Sequence, residues 1–245
     1  VFRQDTTFQN TKTAIDLSYY INHNTRLFLG YQGTESSDIQ NSNSNSISDF
    51  NNSFITSSFE YTKLETNNFT FPIKSKLFMS IGIGKREINT LSESSNNNQL
   101  LANIQTMHTI YLNKKNSINL KSQNYYLQSN RYITNELFRF GGFNSVRGFS
   151  ENSLQAYLTT SILTEYRYTL TPNLFIHSIL DYSFYKNKSG TEKADNTRNL
   201  IGMGLGMGLQ TKNGLLKLAV ANGHTKNQQF EIYNTIIHIS YTVKF

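Results

Sequence analysis

The chain has 245 residues, of which 37% are hydrophobic and 13% aromatic, with 17 Phe and 15 Tyr but neither Trp nor Cys. No window approaches ~18 consecutive apolar residues, which excludes a transmembrane helix, and the lack of Cys excludes disulfides and thiolate metal sites. The formal charge of +7 is spread without a Lys/Arg block, which argues against a nucleic-acid partner and suits anionic lipid or lipopolysaccharide neighbours. With no Met at position 1 and no charged-then-apolar leader, a mature or truncated chain is expected.

In chain order, period-two alternation marks strands over 13–21, 25–33, 53–62, 69–85, 100–112 and 118–129, with 1–9 as the stub of another. After a long interruption, further strands follow over 157–168, 174–185, 198–211, 215–222 and 235–245. Successive side chains of a strand point to opposite faces, so each of these segments has an apolar face and a polar one. In 69–85, for example, Phe71, Ile73, Leu77, Met79, Ile81 and Ile83 oppose Thr70, Lys74, Lys76, Ser80 and Gly82. In 157–168, Leu158, Ile162, Tyr166 and Tyr168 oppose Thr159, Ser161, Glu165 and Arg167; in 174–185, Ile176, Leu180 and Tyr182 oppose His177, Asp181 and Ser183. Within 198–211, Ile201, Met203, Leu205, Met207 and Leu209 alternate with Gly202, Gly204, Gly206 and Gly208. Glycine in a strand interior signals close approach by a neighbour, here on the polar side.

Connections alternate too. Short Asn- and Gly-rich turns lie at 22–24, 65–68, 114–117, 171–173 and 213–214, and long segments at 34–52, 86–99, 131–155, 187–197 and 223–234. The runs Asn41–Ser46 and Ser94–Asn98 read as solvated, mobile loop. Tight turns at one end and long loops at the other are the pattern of an antiparallel outer-membrane β-barrel, all-β and crossing the bilayer many times. A soluble β-sandwich would also alternate, but with strands of about 5–6 residues. The final segment places Ile237, Ile239, Tyr241, Val243 and Phe245 on one face. Its Tyr241, Val243 and terminal Phe245 look like the signal that hands such proteins to their assembly machinery.

The long segment 131–155 holds Phe138-Arg139-Phe140-Gly141-Gly142-Phe143-Asn144-Ser145-Val146-Arg147-Gly148-Phe149, an aromatic content a solvated loop has no use for. Ser145-Val146-Arg147-Gly148-Phe149, preceded by Arg139, Gly141 and Gly142, resembles the VRGF/Y loop of the BamA/TamA superfamily, barrels of outer-membrane protein assembly and of two-partner secretion. The resemblance implies that the loop folds back into the lumen and that Arg147 pairs with carboxylates of the wall. The family's acidic residue on the following strand is matched by Glu165. Its F-x-D-x-G-like motif is matched in part by Ile179-Leu180-Asp181-Tyr182-Ser183, which keeps Asp181 but lacks the flanking Phe and Gly. Period two sends both acids to the polar face, where a planar guanidinium can fork between them as Lys cannot.

The family barrel has sixteen strands with five after this loop. Residues 1–245 therefore read as one partial barrel domain, its C-terminal eleven or twelve strands, with periplasmic POTRA domains expected upstream. The implied function is insertion or translocation of unfolded outer-membrane or secreted client proteins, with periplasmic or lipoprotein accessory subunits as further partners. A two-partner secretion transporter and a passive porin are the alternatives. The five His lack metal-ligand spacing, and His177 reads as a satisfied polar residue of the lumen. The glycine-rich 202–206 sits inside a strand and precedes no helix, so it is no phosphate loop, and no nucleophile elbow is present. The reading is a protein that is not an enzyme and uses neither cofactor nor metal.

Overall fold

The computed structural model describes residues 8–38, 49–65, 73–89, 94–188, 196–226 and 230–243. Each alternating stretch forms a strand. The first six are β1 (Phe8–Asn22), β2 (Thr25–Asp38), β3 (Phe50–Leu64), β4 (Ile73–Asn89), β5 (Ser94–Tyr111) and β6 (Asn116–Gln128). Two three-residue strands, β7 (Phe138–Phe140) and β8 (Leu154–Ala156), lie in the long connection. Then come β9 (Leu158–Thr171), β10 (Leu174–Asn187), β11 (Asn196–Gln210), β12 (Gly214–His224) and β13 (Ile236–Val243). All except β7 and β8 join one 11-stranded antiparallel sheet in sequence order, with β6 paired directly to β9 across the connection. Among the described residues β1 and β13 do not pair with each other.

The expected faces are the observed ones. Apolar side chains stand exposed on the convex face: Ile81 at 57%, Leu205 and Ile237 each at 69%. A water-soluble sheet would not leave such a row bare, whereas a barrel turns it to lipid. The concave face carries the polar and small residues. The glycine face of β11 is filled as its lack of side chains demands: a Cβ at Gly206 would meet the His177 ring, one at Gly208 the Phe175 ring, and one at Gly202 the backbone of Arg147.

Two expectations are corrected. Residues 86–99 are not a long loop, because β4 continues to Asn89 and β5 begins at Ser94, with Asn96 opposite Glu87 and Asn97 opposite Arg86. Composition misled here: backbone pairing needs no apolar side chain, so a Ser/Asn run extends a ladder beyond the apolar belt. Strands therefore reach 18 residues in β5, and β2, β3, β10 and β11 likewise run into segments read as loop. The run 41–46, the stub at 1–7 and the terminal Phe245 lie outside the described residues, while Tyr241 and Val243 sit on the outward face of β13 opposite Leu216 and Gly214. Segment 131–155, read as a long loop that folds back, has regular elements of its own. It holds a 3-10 turn (Thr134–Glu136) and the β7–β8 ribbon, in which Arg139 faces Gln155.

The loop also shows how the sheet curves. Asn10 of β1 donates from Nδ2 to the carbonyl of Asn135 (2.9 Å), and the amide of Gly148 donates to Nε2 of His238 in β13 (3.2 Å). One loop can reach both edge strands only if the sheet wraps around it.

Candidate functional site: a loop clasped inside the barrel

The ribbon delivers the loop tip to the concave face. Gly141 and Gly142 turn the chain with φ of +101° and +100°, and Phe143 N donates to the Glu151 carboxylate (3.1 Å). Val146 and Phe149 are buried with Phe140, Ala156, Leu163, Tyr185 and Leu200, so apolar residues of loop and wall close around the tip on both sides of Arg147. Phe140 meets the Tyr185 ring edge-on at 5.2 Å. These rings are the cover that the aromatic content of the loop required.

Arg147 lies between them, 3% exposed. Its Nε and NH2 donate in a fork to Asp181 Oδ2 (2.8 Å) and Oδ1 (2.6 Å), and its NH1 donates to Glu165 Oε1 (2.6 Å). Its backbone amide adds a fourth bond, to Asp181 Oδ2 (3.0 Å). Burial works against the guanidinium's charge, but the two carboxylates beside it more than offset that and hold its pKa above the usual value. Asp181 is wholly buried and receives a further bond from the amide of Thr164 (3.3 Å).

Glu165 serves more than one cation. Arg167 NH2 approaches its Oε2 at 2.6 Å and Lys217 Nζ at 3.3 Å, so three cations converge on one carboxylate, while among the described residues Asp181 pairs with Arg147 alone. Lys217 also sits over the Phe143 ring (5.7 Å), and Lys121 caps the carbonyl of Asn144 (3.0 Å). Arg167 was already assigned to the polar face of its strand; its convergence with Lys217 on Glu165 depends on β12 curving round, which no local pattern reveals.

Gly148 has φ +88°, where a Cβ is strained, and a side chain there would run into the backbone of Asn222 and Gly223. The approach is reciprocal: a Cβ at Gly223 would lie 2.5 Å from the carbonyl oxygen of Gly148 and 2.7 Å from the Phe149 ring. Gly223→Val is therefore expected to push the tip off the wall at about 1–3 kcal/mol. Limited proteolysis checks this: new cleavage between positions 143 and 150 is the expected result, and unchanged protection would contradict it.

The remaining site residues fall apart from this cluster. Arg139 is exposed and stacks its guanidinium over the Phe8 ring (4.8 Å), away from both acids. His177 departs from its expectation as a satisfied polar residue: it is buried, and neither ring nitrogen finds a partner among the described residues. It packs beside Phe175 over the space left by Gly206. Sequence reasoning missed a second buried pair, at the root of the loop. Arg86 of β4 pairs with Glu136, Gln99 of β5 donates to the same carboxylate, and Arg86 NH1 reaches the carbonyl of Arg131 (2.9 Å). No motif singles out either residue.

Nothing in the cluster offers a nucleophile beside a base, and among the described residues no group of His, Asp or Glu is arranged to hold a metal ion. The arrangement holds a loop against a wall through charge.

No family model and no curated protein matches the chain. Solved structures do. CdiB from Acinetobacter baumannii superposes with a TM-score of 0.64 at 16% identity, over 96% of this chain and 42% of that one. BamA from Haemophilus ducreyi lacking POTRA domains 1–3 superposes with a TM-score of 0.63 at 16% identity, over 96% of this chain and 53% of that one. The chain thus spans about half the length of these proteins, and it shares their β-barrel fold.

Proposed function

We propose that the protein inserts or translocates client proteins at the outer membrane, and that residues 131–155 act as a clasp inside its barrel. The observation that carries this reading is the buried fork of Arg147 on Asp181, with Glu165 on the neighbouring strand, inside a barrel of this fold. An aqueous pore for small solutes needs an open lumen, and a loop tip sealed to the wall by apolar residues and charge works against one.

The clients would be unfolded outer-membrane or secreted polypeptides. Along the edge of β13, which has no pairing partner among the described residues, a client strand could add by backbone hydrogen bonding. The fold is equally close to CdiB and to BamA, so the proposal covers translocation as well as insertion. Its other parties are lipid or lipopolysaccharide against the apolar belt, and accessory subunits on the periplasmic side.

Depletion of the protein in its own cell tests the reading. The expected result is loss of other outer-membrane or secreted proteins before any change in small-solute uptake. If uptake alone changes, the protein is a porin and the proposal fails.

A further inference from the structure

The loop has two charged anchors of opposite polarity. At the tip, the loop supplies the cation (Arg147) and the wall the acids (Asp181, Glu165). At the root, the wall supplies the cation (Arg86) and the loop the acid (Glu136), both at or below 2% side-chain exposure.

The two anchors differ in what their release leaves behind. When the tip departs, Glu165 keeps Arg167 and Lys217, so only Asp181 loses its ion-pair partner. Asp181 still keeps the bond it accepts from the amide of Thr164. When the root departs, Arg86 keeps no acid among its described partners, and a guanidinium cannot discharge.

Uncharged contacts add to the root. Ile133 is fully buried with Phe50 and Ile88, and Asn135 donates to Ser36 Oγ (2.7 Å) and accepts at its carbonyl from Asn10. The root is thereby tied to β1 through β5, and the tip to β9, β10, β12 and β13, with Lys121 of β6 on the Asn144 carbonyl. Between them lie Gly141 and Gly142, at which the chain already turns.

We infer that the loop is a hinged arm: Arg86 and Glu136 keep its root latched to the N-terminal half of the wall while the Arg147 tip detaches and returns. Arg86 and Glu136 are positioning residues, acting through the arm they hold. The inference rests on the reading of the loop as a clasp.

Spin labels at Thr134 and at Ser145, placed one at a time in the protein reconstituted in lipid, separate root from tip. Arg147→Ala is expected to mobilise the label at 145 and leave that at 134 immobile, whereas Glu136→Gln is expected to mobilise 134. A tip substitution that frees both labels equally, or a Glu136→Gln that leaves 134 immobile, overturns the hinge.

Hydrogen exchange on the unsubstituted protein gives an answer even where a variant fails to fold. The amides of Glu136 and Leu137 should exchange at least about tenfold more slowly than that of Ser145, and equal rates overturn the inference. Hinge and function fail separately. If the label pattern holds but no variant alters client insertion, the clasp reading falls and the hinge stands. If Arg147→Ala blocks insertion but frees both labels, the hinge falls alone.

Discussion

Arg147→Ala is expected to release the loop tip while leaving the 11-stranded wall folded and inserted. The substitution strips Asp181, wholly buried, of its one ion pair among the described residues and of two of the hydrogen bonds it accepts. Removing one partner of a buried pair costs about 3–5 kcal/mol, because the other is left charged and dry. Here the cost falls on the loop, since the pair joins loop to wall, while β9 and β10, which carry the two acids, are held together by their own backbone ladder. Glu165 is spared, because Arg167 and Lys217 remain. Proteolysis near Ser145 together with an unchanged unfolding midpoint of the barrel is the expected outcome. Arg147→Lys should recover little, since one ammonium cannot reproduce a fork on Asp181 and a bond to Glu165. Protection of the loop in Arg147→Ala equal to that of the parent would contradict the clasp.

Glu165→Gln is expected to act on the wall instead. Its carboxylate is the common acceptor of Arg147, Arg167 and Lys217, which come from the loop and from two strands well separated in sequence. Without it, three buried or half-buried cations face Asp181 alone, and Asp181 is already engaged by Arg147. The loss is again of the order of 3–5 kcal/mol, but distributed over β9 and β12. A lowered urea midpoint of the barrel checks it, measured by the shift in electrophoretic mobility between folded and unfolded forms. A midpoint within error of the parent would mean that water already screens Arg167 and Lys217, and that Glu165 serves the loop only. The two substitutions thus separate what holds the loop from what holds the wall.

Much of this architecture could be read from alternation. Period two located eleven strands in order, and where it assigned faces they are the observed ones, down to the bare side of β11 that receives Phe175, His177 and the backbone of Arg147. Arg147, Glu165 and Asp181 could be nominated because a short motif and two facing assignments coincide. What stayed hidden was non-local or lacked a compositional mark. The Ser/Asn run at 94–98 looked like loop because its pairing with β4 rests on backbone hydrogen bonds alone. The β7–β8 ribbon is three residues a side, too short for a period to register. The pairing of Arg86 with Glu136 spans fifty residues of sequence, and the sharing of Glu165 by Lys217 spans fifty-two; both depend on how far the sheet curls.

Edge strand β13 links the clasp to the proposed chemistry of client handling. Its His238 accepts from the amide of Gly148, so the loop tip touches the strand on which, in the proposed function, a client would add. Loosening Arg147 therefore bears on the position of β13 as well as on the lumen. Reconstitution in liposomes tests the whole account most directly, by following the rate at which an unfolded outer-membrane client is inserted by the protein carrying Arg147 and by its Arg147→Ala variant. The account predicts a large fall in rate with the variant present at equal amount and correctly inserted. Equal rates, with the loop tip demonstrably free, would contradict it.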